Sequence, residues 1–220
     1  MPPVLRPAAV LFDCDGVVVD SEPATFDLLA EDFAARGLHL SHAEMEQRFL
    51  GGTIERCGRI AAELGANIPA DWSAQFYEAL YARLAQGTAL IPGVVSVFDA
   101  LDAAAIPYAI GSNGTMRKMQ VTLGQHPTLA TRLKGRIFSG LDLGMLKPAP
   151  DLYLHAAQAL NADPATCVVI EDSATGARAA QAAGMRCMGY APTGASIAAL
   201  TEAGAHTFTR MEDLPRLLGL

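Results

Sequence analysis

Val10-Leu11-Phe12-Asp13-Cys14-Asp15-Gly16 is the stretch on which the reading of this 220-residue chain turns. Apolar residues run directly into two carboxylates one residue apart, and a glycine follows. A continuous apolar run bounded by a turn signal reads as a buried strand of a parallel sheet. The carboxyl end of such a strand is where open α/β sheets place ligands. Side chains alternate along a strand, so Asp13 and Asp15 share a face if the extended form persists through Cys14. Two anions that close repel each other, and a hard divalent cation such as Mg²⁺ is their natural counter-charge. With it, one carboxylate can attack an electrophile while the other manages a proton. By itself the stretch is also compatible with a strand that ends in an acidic turn. A calcium loop is set aside, because Gly16 comes too early and the twelfth position, counted from Asp13, is Ala24 rather than glutamate.

Working outward, three further apolar runs end in polar residues. Ile110-Gly111-Ser112-Asn113-Gly114 offers a hydroxyl, an amide and glycine-exposed N–H groups that suit a phosphate. Lys147-Pro148 follows the Ser139-Gly140 turn, with Pro148 and Pro150 stiffening the chain around the lysine. Glu171-Asp172-Ser173 closes Val168-Val169-Ile170, and Ser173 doubles as a helix cap. Each signal has a plain structural alternative, but together they put carboxylates, hydroxyl, lysine and carboxylates at successive ends of one sheet.

Between the first and second of these strand ends the pattern is helical. Phe26, Leu28, Leu29, Phe33 and Leu38 form one apolar series, Ser41-x-x-Glu44 is a capping box, and Ile60, Leu64 and residues 72–84 supply further helices. Asp20-Ser21-Glu22-Pro23 opens this block, with Ser21 or Asp20 as a cap. Strands then alternate with helices to the C-terminus, which implies βαβ units. The expected division is an α/β core of residues 1–20 and 88–220 with a helical cap inserted at residues 21–87.

The chain is 51% hydrophobic with a net charge of −7, which disfavours a nucleic-acid or anionic-membrane binder. An anionic substrate then needs local positive charge or a metal. The four cysteines (Cys14, Cys57, Cys167 and Cys187) make no CxxC pair and read as buried thiols in a reducing cytosol. No signal peptide opens the chain and no apolar run reaches membrane-spanning length, so it reads as soluble and cytoplasmic.

Asp13-x-Asp15-Gly16, Ser112-Asn113, Lys147-Pro148 and Glu171-Asp172, in that order, resemble the four motifs of the haloacid dehalogenase-like superfamily of hydrolases, and the resemblance covers essentially the whole chain. The inserted helices resemble the branch with a small α-helical cap, which includes β-phosphoglucomutase and many sugar-phosphate phosphatases. Phe12-Asp13-Cys14-Asp15-Gly16, Ser112-Asn113-Gly114 with Lys118-Met119-Gln120, and Phe138-Ser139-Gly140 look most like the 6-phosphogluconate phosphatase type. The resemblance implies a Rossmann-like, doubly wound parallel sheet beneath that cap. It also implies that Asp13 attacks phosphorus to form an aspartyl phosphate. Asp15 protonates the leaving oxygen and then activates water. Mg²⁺ rests on the side chains of Asp13 and Asp172 and the main-chain carbonyl of Asp15, while Glu171 orients the metal's waters. Ser112, Asn113 and Lys147 hold the transferring phosphoryl group.

Asp15 separates the chain from the dehalogenases, which lack the second aspartate. Its three lysines lie outside the cap, which disfavours Schiff-base chemistry there. The positions at which β-phosphoglucomutases carry a cap arginine and an entry histidine read Ile54 and Thr25, with Arg56 and Arg59 close by. A phosphatase acting on a small phosphorylated sugar or sugar acid is therefore favoured over a mutase. The glycine-rich segment Gly51-Gly52-Thr53 and Arg56 are the expected substrate contacts from the cap. A phospho-acceptor module like a receiver domain is the remaining alternative, disfavoured by the helical insert, since a lid encloses a small substrate.

Overall fold

The first strand, β1 (Ala9–Phe12), lies in the middle of a six-stranded parallel sheet in this computed structural model, which describes residues 6–49 and 53–220. After it come β2 (Val19–Asp20), four helices α1 (Glu22–Ala35), α2 (His42–Phe49), α3 (Ile54–Glu63) and α4 (Trp72–Leu84), and β3 (Ala89–Leu90). The second half runs α5 (Val94–Ala103), β4 (Tyr108–Ser112), α6 (Met116–Leu123), α7 (Pro127–Arg132), β5 (Ile137–Ser139), α8 (Gly140–Leu143), α9 (Asp151–Ala159) and β6 (Cys167–Glu171). It closes with α10 (Ala174–Ala182), β7 (Arg186–Tyr190), α11 (Ile197–Glu202), β8 (His206–Phe208) and α12 (Leu214–Leu217).

The sheet order is β5-β4-β1-β6-β7-β8, so β1 pairs with both β4 and β6. This order brings the ends of β1, β4 and β6 side by side at one edge. The central strands β1, β4 and β6 are buried at every position because both faces are covered. Val10 and Phe12 pack with α5 on one face, whereas Ala9 and Leu11 pack with α9 and α10 on the other. This is the Rossmann-like, doubly wound arrangement expected from the alternation of elements.

Helices α1 to α4 bury a cluster of their own around Trp72, Phe33 and Phe76, and Val121 of α6 packs against it. The Ser41–Glu44 capping box forms, with the Ser41 N–H donating to Glu44 Oε2 at 2.9 Å.

Two local expectations are corrected. The extended form does not persist through Cys14: β1 stops at Phe12, and the chain turns so that Val18 and Val19 both donate to the Cys14 carbonyl. Face-sharing along a strand is therefore not what brings Asp13 and Asp15 together. The short antiparallel ribbon of β2 and β3 is also new, and it carries the chain into and out of the four helices.

Candidate active site

Three loops converge at the edge defined by β1, β4 and β6. Asp13 and Asp15 follow β1, Ser112 and Asn113 end β4, and Glu171 and Asp172 end β6. Lys147 enters from the loop between α8 and α9. Its ammonium is buried and donates to Asp13 Oδ1 at 2.5 Å and to Glu171 Oε1 at 2.6 Å. The sequence expects this lysine to hold the transferring phosphoryl group, and the fold makes it the centre of a buried triad. Burial works against its charge, yet Asp13 and Glu171 outweigh that and hold its pKa above the ordinary lysine value.

Glu171 is fully buried and both of its oxygens are engaged. Oε1 accepts from Lys147 and from the Tyr153 hydroxyl at 2.7 Å, and Oε2 accepts from the Ser173 hydroxyl at 2.9 Å and N–H at 3.2 Å. That set fills the acceptor capacity of a carboxylate. Glu171 therefore fixes Lys147, and its carboxylate also stands in the group with Asp13 and Asp172 that could hold a metal. Gly176 is what lets the carboxylate fit: a Cβ there would lie 1.6 Å from Glu171 Oε1.

Asn113 is likewise committed. Its amide donates to the Lys147 carbonyl at 3.2 Å and accepts from the Lys147 N–H at 2.8 Å, so it clamps the lysine loop while lining the cavity. Ser112 is buried and its hydroxyl accepts from the Gly114 N–H at 3.0 Å.

Asp15 has two partners. Lys118, from α6, pairs with its Oδ1 at 2.9 Å, and the Ser21 hydroxyl donates to the same oxygen. Burial opposes the charge of Asp15, but Lys118 and Ser21 overcome it and hold the carboxyl below its usual range. Ser21, expected as a side-chain cap for α1, makes no capping bond.

The oxygens of Asp13, Glu171 and Asp172 can be drawn within 4.8 Å of one another. Burial raises Asp13 above the usual carboxylate range, and Glu171 and Asp15 add to it against the pull of Lys147. Burial also raises Asp172, with Glu22, Asp13 and Glu171 contributing repulsion. A nucleophile held in that state is poor unless more positive charge arrives. An all-oxygen donor set facing excess negative charge fits a hard divalent cation. Asp13, Glu171 and Asp172 are the side chains that offer it an oxygen. Gly16, at φ 74°, gives Asp172 its room, since a Cβ there would stand 2.1 Å from Asp172 Oδ2.

Asp13, Asp15, Ser112, Asn113, Lys147 and Asp172 all line one cavity of about 130 Å³. Its far wall comes from α1 to α4 and is largely apolar: Phe26, Leu29, Phe49, Ile54, Cys57 and Leu80 face it, with Glu22, Thr25 and Tyr77 as its polar members. Thr53 lines it and caps α3 by accepting from the Arg56 N–H at 3.3 Å. Arg56 itself is exposed and does not line the cavity, so the expected cap contact is not brought to the site. Gly51 and Gly52 lie outside the described residues. Sequence reasoning also gave no role to Lys118 or Tyr153. Both depend on approaches between elements distant in the chain, and the one available signal was Lys118 beside the Ser112-Asn113-Gly114 turn.

The family model for haloacid dehalogenase-like hydrolase matches residues 7–184. The chain belongs to that family. Among the haloacid dehalogenase-like hydrolases it is similar to 6-phosphogluconate phosphatase of Escherichia coli (strain K12), at 32% identity over 214 residues, covering 96% of this chain and 95% of that one. It is 30% identical over 182 residues to hexitol phosphatase A of the same organism, covering 82% and 81%. A solved family member from Deinococcus radiodurans R1 with bound phosphate and sodium superimposes with a TM-score of 0.78 at 34% identity, covering 95% and 93%. The chain is thus an enzyme of a hydrolase family, and its curated relatives include named phosphatases. Among the described residues, no helix is long and apolar enough to cross a membrane.

Proposed function

We propose that this enzyme is a Mg²⁺-dependent phosphatase that hydrolyses a small phosphorylated sugar or phosphosugar acid through an aspartyl phosphate on Asp13. The observation that carries this reading is the Asp13–Lys147–Glu171 triad, opening onto the same cavity as Asp15, Ser112 and Asp172.

In this reading residues 21–87 are a cap over a core of residues 1–20 and 88–220. Asp13 attacks phosphorus, the bond from phosphorus to the leaving oxygen breaks, and that oxygen takes a proton from Asp15. Water then attacks the aspartyl phosphate and gives its proton to Asp15. The bond from phosphorus to Asp13 breaks, and inorganic phosphate leaves. Lys147 neutralises charge on the transferring oxygens and Ser112 orients them. Asp13, Asp172 and the Asp15 main-chain carbonyl would hold Mg²⁺, which would supply the further positive charge that keeps Asp13 ionised. The buried, unpaired cysteines support a reducing compartment such as the cytoplasm.

The mutase alternative lacks its clamp. A bisphosphate needs a second cationic grip, and among the described residues the cations lining the cavity are Lys118 and Lys147, neither of them on the four cap helices. The test is phosphate release from a panel of phosphosugars and phosphosugar acids, with and without Mg²⁺. Mg²⁺-dependent release from at least one member is expected. No release, or glucose 6-phosphate forming from β-glucose 1-phosphate faster than free phosphate, overturns the reading.

A further inference from the structure

We propose that Lys118 is a positioning residue that fixes Asp15 Oδ1, so that Oδ2 is the oxygen that exchanges protons; this rests on the phosphatase reading above. Two donors converge on Oδ1: the Lys118 ammonium at 2.9 Å and the Ser21 hydroxyl. Oδ2 lies instead against the Ser112–Gly114 turn, where a Cβ placed on Gly114 would stand 3.6 Å from it and 3.3 Å from Ser112 Oγ. The carboxylate is therefore oriented with one oxygen held and the other turned toward the residues that cradle a phosphoryl group. Ser21 alone does not fix a carboxylate, because a hydroxyl rotates freely about its own bond. The ammonium adds a charge-assisted contact from the opposite part of the chain.

The lysine is itself well placed for this work. Its side chain is 12% exposed, and the Lys118 N–H donates to the Oγ1 of Thr115, the cap of α6, at 3.1 Å. Thr115 Oγ1 also bonds the Tyr81 hydroxyl of α4 at 2.8 Å. Arg117, on the same helix, pairs with Glu78 of α4 and lies 4.5 Å over the Tyr81 ring. The start of α6 is thus anchored to α4 on one side while Lys118 reaches Asp15 on the other.

The experiment uses p-nitrophenyl phosphate with Mg²⁺ and the variants Lys118→Met and Lys118→Arg. Nitrophenolate leaves without a proton, and kcat/KM ends at its departure, so kcat/KM is blind to Asp15. Turnover includes hydrolysis of the aspartyl phosphate, where Asp15 must take a proton from water. Lys118→Met is expected to lower kcat about 10–100-fold, a part of what a positioned general base contributes. Its kcat/KM stays within about threefold, and nitrophenolate appears in a burst approaching one per enzyme. Lys118→Arg keeps most of kcat. In a crystal structure of Lys118→Met, Asp15 is expected to leave the Ser21 hydroxyl. Parallel falls in kcat and kcat/KM without a burst, or no change in either, overturn the proposal, as does Asp15 unmoved in the variant structure. Failure of the phosphatase reading shows differently, as wild-type protein that releases no nitrophenol; the variant structure then still decides the role of Lys118.

Discussion

Beneath the cavity each aspartate of the first loop has its own lysine: Lys147 on Asp13 and Lys118 on Asp15. Above it, α1 to α4 offer Phe26, Leu29, Phe49, Ile54, Cys57 and Leu80, with their arginines turned to other work. Arg36 pairs with Asp32, Arg59 with Glu63, and Arg83 with Glu31. The lower surface is built from buried charges held in place by two lysine pairs, so its geometry is tightly fixed. The upper one is built mainly from apolar contacts, which tolerate changes of shape at modest cost. Under the proposed function, this is a division of labour in which the sheet edge would perform the chemistry and the helices would choose the leaving group.

Four variants would break or sharpen that contrast. Asp13→Asn should abolish the nucleophile and lower kcat roughly 10⁴-fold or more, measured as phosphate release. Near-normal turnover would remove the sheet edge from the chemistry. Lys147→Met should cost about 10²–10³ in rate. Because it leaves Glu171 buried without its cation, urea titration should also show a loss of about 3–5 kcal/mol in stability. A rate loss with no stability loss would mean that the triad is looser than its distances indicate. Ile54→Val, in the upper wall, should leave kcat for p-nitrophenyl phosphate unchanged. It should shift the preference between two phosphosugars by up to about tenfold, the scale on which one methylene discriminates. Arg56→Ala should be the mildest, moving KM by no more than about twofold as an exposed residue away from the cavity. A large rise in KM would restore the cap arginine as a substrate contact.

Much of this contrast was legible beforehand, and the parts that were not have physical reasons. The parallel strands were visible because strands covered on both faces must be apolar at every position. The carboxylates stood out because they end those runs. The ribbon of β2 and β3 was missed because two residues per strand leave no periodicity to detect. Arg56 was misjudged through helix phase: at 3.6 residues per turn Ile54 and Cys57 share a face, and Arg56 falls on the opposite one. Glu171 and Asp172 each bring an oxygen to within 4.8 Å of Asp13, as their place at one strand end suggests, but their other partners differ. Glu171 meets Tyr153 and Lys147, whereas Asp172 sits against Gly16. Lys118 was legible only as a lysine on a helix, since its partner lies about a hundred residues earlier.

Gly16 sets a rule for sequence variation that needs no alignment. Its left-handed backbone admits asparagine or aspartate at some cost, but any side chain there must push aside the Asp172 carboxylate. Asp172 can swing away, so folding alone would forgive the exchange. A saturation library sorted for soluble expression should therefore retain a few letters at this position. The same library sorted for catalysis should collapse to glycine, and the gap between the two sorts measures what the enzyme invests in function beyond what it needs to exist.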